Sequence, residues 1–385
     1  MAYGGLLSDR LRRAYLGQAK ELTPGSAGTL THVFDAYQDF VCSGINPDMF
    51  SDLELANNSE FTKVQFPGRK RVSVALPLPL SPEAWGFAMG YGLGDDTVSG
   101  TGADRTHTFT LAAMHALMPT LTGLFNQGGP TYDSDTDWFL HGLYVDGFDF
   151  TFGAQGWARL DIALKGMGAL SAGSSQDESL LTTVTCKVPS PKVRMNIGPT
   201  TAEGTTIFGG AYTQPSAAGV FANNAALGTI GSNGLFDFSP YIDTCKVSVK
   251  NNPMGEDAAG TSASAGSIGA QPFTGNREVT VEVKYKLGTD TKVFERAIAN
   301  STQADNAEYS STIEWVSDTG TGGAKIFGGM LAFPLLGQES TPARDSGLSN
   351  AMRTIRLFAK IARSGTDYGA IRAYLCSSAT AVYAQ

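Results

Sequence analysis

The stretch HGLYVDGFDFTFGAQGWARLDIALKGMG, residues 141–168, reads as a β-hairpin, because two runs of alternating apolar residues flank Gly153 to Gly156. On the first strand, a period of two places Tyr144, Asp146, Phe148, Phe150 and Phe152 on one face. Val145, Gly147, Asp149 and Thr151 fall on the other. On the returning strand Leu160, Ile162 and Leu164 form the buried face, while Arg159, Asp161 and Lys165 point away. The hairpin holds no nucleophile paired with a base. It is built as a sheet with one wet side.

The same texture runs through much of the chain. RVSVALPLPL (71–80) alternates, but Pro77 and Pro79 confine its second half to a sheet edge or an extended arm. THTFTL (106–111), LLTTVTCKV (180–188) and DTCKVSVKN (243–251) read as strands. In NREVTVEVKYKLG (276–288), Val279, Val281 and Val283 turn inward, with Glu278, Thr280, Glu282 and Lys284 outward. STIEWVS (311–317), AMRTIRLFAKIAR (351–363) and GAIRAYLCS (369–377) close the set. Helical spacing is rarer. Leu11, Tyr15 and Leu16 share it behind Ser8, with Arg10, Arg12 and Arg13 on the solvated side. TDTKVFERAIANS (289–301) is the strongest helix, capped by Thr289 or Thr291, with Val293, Phe294, Ala297 and Ile298 as its apolar face.

Composition agrees with strands joined by turns. Glycine makes up 46 of 385 residues, about 12% against roughly 7% in an average chain, and charged residues only 17% against roughly 25%. The net charge of −8 excludes a basic nucleic-acid footprint. It permits a surface past which nucleic acid slides, since like charge prevents sticking. No apolar run long enough for a transmembrane helix occurs, and the first residues lack the pattern of a signal peptide. Cys42, Cys186, Cys245 and Cys376 form no CxxC pair and read as buried free thiols of a reducing cytoplasm. The fold class expected is mainly β: antiparallel β-sandwich or partly closed barrel units with a short flanking helix. Residues 1–60 form an arm with a short helix, 61–195 a first unit, 196–240 a Gly/Ala/Asn-rich bridge, and 241–385 a second β-rich unit with a helix at 290–300. A rough echo between 141–188 and 243–288 leaves a duplication open.

Chemical motifs are absent or incomplete. Asp133, Asp135 and Asp137 imitate the start of a calcium loop, but Trp138 and Tyr144 stand where Gly and Glu belong, so a solvated acidic turn is expected. GMGALS (166–171) and GYGLGDD (90–96) lack the helix that a dinucleotide fingerprint opens, and their glycines read as turn residues. His32, His107, His115 and His141 are scattered outside any zinc spacing, and His107, mid-strand, reads as a hydrogen-bonded core imidazole. No GxSxG elbow is present. No cofactor and no enzymatic activity are expected.

Four stretches together resemble the major tail protein, or tail tube protein, of long-tailed bacteriophages. They are RTHTFTLAAMHALMPTLTGLF (105–125), a His-bearing strand linked to another, and VDGFDFTFGAQGWARLDIALKGMG (145–168). The others are DTCKVSVKN followed by a long insert and NREVTVEVKYKLGTDTKVFERAIANS (243–301), and the terminal IRAYLCSSATAVYAQ (371–385). The resemblance implies copies of the chain joined edge to edge into rings, trimeric with pseudo-sixfold symmetry or hexameric, stacked into a tube for DNA passage. It implies a virion protein made in the host cytoplasm, without a membrane anchor, whose partners are itself, a tape measure protein and the tail terminator and tip proteins. Asp149, Asp161, Glu278 and Glu282 become candidates for a polar face lining the lumen. The small-residue insert at 252–275, with Met254, Gly255, Glu256, Asp257 and Phe273, suits a loop that orders against the next ring, as do the terminal arms. The alternative is a β-sandwich capsid-decoration or receptor-binding virion protein, with an exposed aromatic cluster for glycans at Trp138, Tyr144 and Trp157.

Overall fold

The computed structural model describes residues 13–37, 39–44, 46, 49–51, 65–67, 70–101, 104–126, 137–171, 178–184, 186–199, 236–255, 270–288, 291, 308–317, 327–339, 343–344, 352–360, 369–377 and 381–384. The chain is mainly β. Its first part gives β1 (Arg13–Leu16), β2 (His32–Asp35), β3 (Val41–Ser43), β4 (Met49–Ser51), β5 (Gln65–Pro67) and β6 (Val72–Pro79). A helix, α1 (Pro82–Leu93), leads into β7 (Gly94–Thr101), β8 (Asp104–Leu111) and β9 (Leu121–Asn126). The hairpin strands are β10 (Trp138–Gly153) and β11 (Arg159–Ser171). Then come β12 (Thr182–Thr183), β13 (Val193–Pro199), β14 (Phe236–Asp237), β15 (Ile242–Lys250) and β16 (Glu278–Lys286). The last are β17 (Glu308–Val316), β18 (Gly328–Gln338), β19 (Ala343–Arg344), β20 (Met352–Ala359) and β21 (Arg372–Ser377).

All but β4 and β5 join one barrel-like sheet, antiparallel except where β12 runs beside β2. Two long strands organise it. β10 pairs with β11 along one edge, and its other edge serves β9 first and β15 afterwards. β18 does the same with β17 on one side and β21 then β20 on the other. Strands from both sides of the 196–240 bridge therefore meet: β10 with β15, β8 with β21, and β13 with β17. One large apolar core, with members from Ala14 to Ala384, fills most of the interior, and two smaller clusters lie beside it. The segments 61–195 and 241–385 share that core and that sheet, and the echoing hairpins β10–β11 and β15–β16 lie side by side within it.

The helix at the centre was not visible in the hydrophobic pattern. Ser81 caps it, accepting a hydrogen bond from the Ala84 N–H at 3.1 Å, and Pro82 occupies the first turn. Gly94 ends it in the left-handed conformation at φ 96°. Every residue between is buried, so α1 has no polar side and no amphipathic period. Trp85 packs edge-on against Phe150 and Trp315 and donates through its indole N–H to the Tyr374 carbonyl at 3.0 Å. Gly86 and Gly90 face Tyr383, whose ring lies where a Cβ on Gly86 would sit, 2.2 Å away. Tyr383 and Ala384 are thus part of the core, contrary to the expectation of a C-terminal arm free to order against a neighbour.

Several other expectations are corrected. Tyr15 and Leu16 belong to a strand, because β1 is zipped between β2 and β9; that cross-strand pairing overrides the helical spacing. Among the described residues of 180–188 only Thr182 and Thr183 form a strand; Val188 instead bridges Leu80 and Ala158 through its backbone. Of the expected helix at 290–300 only Thr291 is among the described residues, in a turn where its hydroxyl oxygen accepts from the Gly288 N–H at 2.6 Å. Pro77 and Pro79 do lie at an edge, since β3 covers β6 only from Ser73 to Ala75.

The face assignment of the hairpin also changes. Val145 pairs with Leu164 and Gly147 with Ala163, so Asp146 is the extra residue of a β-bulge. One extra residue flips every side chain before it to the opposite face. Val145 therefore joins the core with Phe148, whereas Tyr144 turns away to pack with Met118 and Met167. Asp146 leaves the aromatic face and meets Lys165 at 3.3 Å.

Candidate functional site

The outward residues of β6, β11, β10, β15, β16 and β20 form a concave face over a groove of about 480 Å³. All four expected polar-face residues, Asp149, Asp161, Glu278 and Glu282, line it. Strand alternation carries them there, since their neighbours Phe148, Phe150, Ile162, Val279, Val281 and Val283 are in the core. Register then sets the electrostatics. Asp149 stands directly opposite Asp161, a destabilising like-charge pair. Lys246 relieves Asp149 at 2.8 Å, and the Arg159 Nε donates to Asp161 at 2.6 Å. The guanidinium of Arg159 also binds Asp39. Burial nonetheless pushes the Asp161 carboxyl above its ordinary range, against the pull of Arg159. The groove holds six carboxylates, Asp39, Asp146, Asp149, Asp161, Glu278 and Glu282, against four cations, Arg159, Lys246, Lys250 and Arg356. Its excess of negative charge is small. Of the cations only Arg159 was foreseen on the wet face; Lys246 and Lys250 come from β15 and Arg356 from β20.

A second surface is apolar. The ends of the 252–275 insert fold back on each other through Met254 and Phe273, which exchange backbone hydrogen bonds of 3.0 and 2.9 Å. The 113–118 segment joins them: the Met118 N–H donates to the Pro272 carbonyl and the Thr274 N–H to that of Ala116, both at 2.9 Å. Asn251, which directly follows β15, fixes this platform to the core. Its amide donates to the carbonyls of Gly92 and Val145 at 3.0 and 2.9 Å, and Arg277 donates to its oxygen at 3.1 Å. On this rigid base Met114, Leu117, Met254 and Phe273 are all exposed. Four large apolar side chains gathered on hydrogen-bonded backbone form a patch, unlike singly scattered ones. Of the expected loop residues, Met254, Gly255 and Phe273 are found here, and Glu256 and Asp257 lie outside the described residues.

The remaining candidates separate. Asp137 is buried, while Asp133 and Asp135 lie outside the described residues. The expected aromatic cluster does not form: Tyr144 is in the interior for the reason given by the bulge, and Trp157 alone is prominently exposed. His107 is fully buried, its Nδ1 2.9 Å from Asp96, whose carboxylate also accepts the Tyr383 N–H at 2.9 Å. That pair secures the C-terminal residues. Cys245 and Cys376 are buried free thiols, but Cys42 and Cys186 are only half-buried. Glu21, which no motif singled out, is buried and accepts hydrogen bonds from Gly25, Thr122 and the Gly142 N–H at the first bulge of β10. Among the described residues no helix is long and apolar enough to cross a membrane.

With this geometry in hand, the chain was compared with known proteins. No protein-family model and no curated protein sequence matches it. The two surfaces are therefore interpreted from their own chemistry.

Proposed function

We propose that this chain is a structural, non-enzymatic protein whose copies assemble into stacked rings, forming a hollow conduit for DNA as in the tails of long-tailed bacteriophages. The observation that carries the proposal is the apolar platform of Met114, Leu117, Met254 and Phe273, exposed at the root of the insert that the resemblance assigns to contacts between rings. Two further features support it. The net charge of −8 disfavours adhesion of a passing polyanion. β7 pairs only with β8 among the described strands, leaving an edge to which a neighbouring copy can add a strand. Ring copies number three or six on this proposal, and the tape measure, terminator and tip proteins bind the ends of the tube.

Introducing charge into the platform tests it. Leu117→Asp combined with Phe273→Asp places two carboxylates on a surface that stacking would bury. Sedimentation of the double variant is expected to show the concentration needed for assembly raised at least about tenfold, with folding intact because both side chains are solvent-exposed. Unchanged assembly would remove the platform from the proposal.

A further inference from the structure

The turn between β10 and β11 carries an indole that the core does not use. Trp157 is 56% exposed, yet its backbone is held firmly. It bridges to Pro189, and the Ser190 N–H donates to the neighbouring Gly156 carbonyl at 2.9 Å. The opposite wall is equally fixed, because the Ala154 N–H donates to the Asp243 carbonyl at 3.1 Å. Between them lies a shallow cavity of about 530 Å³ lined by Trp157, Thr151, Gln155, Ser190, Asp243 and Thr244.

The polar groups here are not committed to the fold. Among the described residues, the side chains of Thr151, Gln155 and Thr244 make no hydrogen bond. Among the described residues the Asp243 carboxylate meets only Lys284, at 4.0 Å. An aromatic face ringed by hydroxyl, amide and carboxylate groups has a defined complement. The ligand needs an apolar face to lie on the indole and a rim of hydroxyls to engage the polar groups. A pyranose ring has both. Arg159, which also lines the cavity, is held by Asp39 and Asp161, so a polyanion would face Asp243, and an apolar protein anchor would leave the amide and hydroxyls of the rim without partners.

We propose that this turn is a binding site for neutral saccharides, with Trp157 as the stacking platform and Gln155, Asp243 and Thr244 hydrogen-bonding to ring hydroxyls. The site is independent of ring assembly, and its test reads binding by the full chain in whatever state it adopts. Maltotetraose, cellotetraose and chitotetraose, each at about millimolar concentration, would be titrated while following tryptophan fluorescence and saturation-transfer NMR. At least one is expected to bind, with saturation transferred to its ring protons. Trp157→Ala is expected to weaken that binding about tenfold or more, and Trp157→Phe to restore part of it. Thermal melting of both variants should match the wild type, since the side chain lies outside the core. Failure of all three saccharides to bind, or equal binding by Trp157→Ala, would overturn the proposal.

Discussion

Gly86→Ala is expected to destabilise the protein by about 3 kcal/mol, although the same change in an ordinary helix stabilises it by about 1 kcal/mol. The reversal comes from Tyr383. A methyl group on Gly86 would stand 2.2 to 2.7 Å from three atoms of its ring. The ring cannot yield easily, as it is wedged edge-on against Phe87 and His107 and its backbone is tied to Asp96. Tyr383→Ala alone should cost about 3 to 5 kcal/mol through loss of a fully buried aromatic residue. In that background the clash no longer exists, so Gly86→Ala becomes neutral or mildly stabilising. Chemical denaturation of the four proteins in this cycle measures the coupling directly. Simple addition of the two single effects would mean that Tyr383 does not pack on α1 as described.

The second large effect depends on pH. Glu314, on β17, is almost fully buried, and that burial pushes its carboxyl up from an ordinary value of 4.5 to about 7. Asn196 donates to its Oε1 at 3.2 Å, and Arg194, which is shared with Asp237, approaches only to 4.0 Å. Among the described residues its Oε2 has no hydrogen-bond partner. The folded state therefore holds the proton more tightly than the unfolded state does. Stability contributed by the protonated form is fully present below pH 4.5 and is lost progressively as pH rises through about 7. The loss above that range is about 3 kcal/mol. Glu314→Gln should remove most of this dependence, stabilising the protein at alkaline pH by as much as about 3 kcal/mol while changing little in acid. Denaturation midpoints across the pH range are the measurement, and parallel curves for variant and wild type would contradict the assignment.

The parts of this fold that could be read from the sequence are those where one face is wet. From Cys245 onward β15 alternates cleanly, as does β16, and each Val and Glu of β16 points as the period requires. The charged groove was legible for the same reason, because its carboxylates are the odd members of apolar alternations. Full burial hides an element. α1 has no polar side and carries glycines at 86, 90 and 92, a composition that propensity assigns to turns until Tyr383 is known to lie on them. β18 is buried on both faces and contains Pro334, tolerated at an irregularity where the Ser310 hydroxyl donates to the proline carbonyl at 2.7 Å. The bulge at Asp146 was hidden by Tyr144 and Val145, which are both apolar and so mark neither parity. Apart from Arg159–Asp161, the ion pairs of the groove join residues distant along the chain, as does the 113–118 half of the platform, and no local pattern announces them.

Electron microscopy of the concentrated wild-type protein is the most direct measurement of assembly. Stacked rings around an open channel, with three or six copies in each ring, are the predicted result. Particles of a single chain at every concentration and salt condition would contradict a tube-forming role.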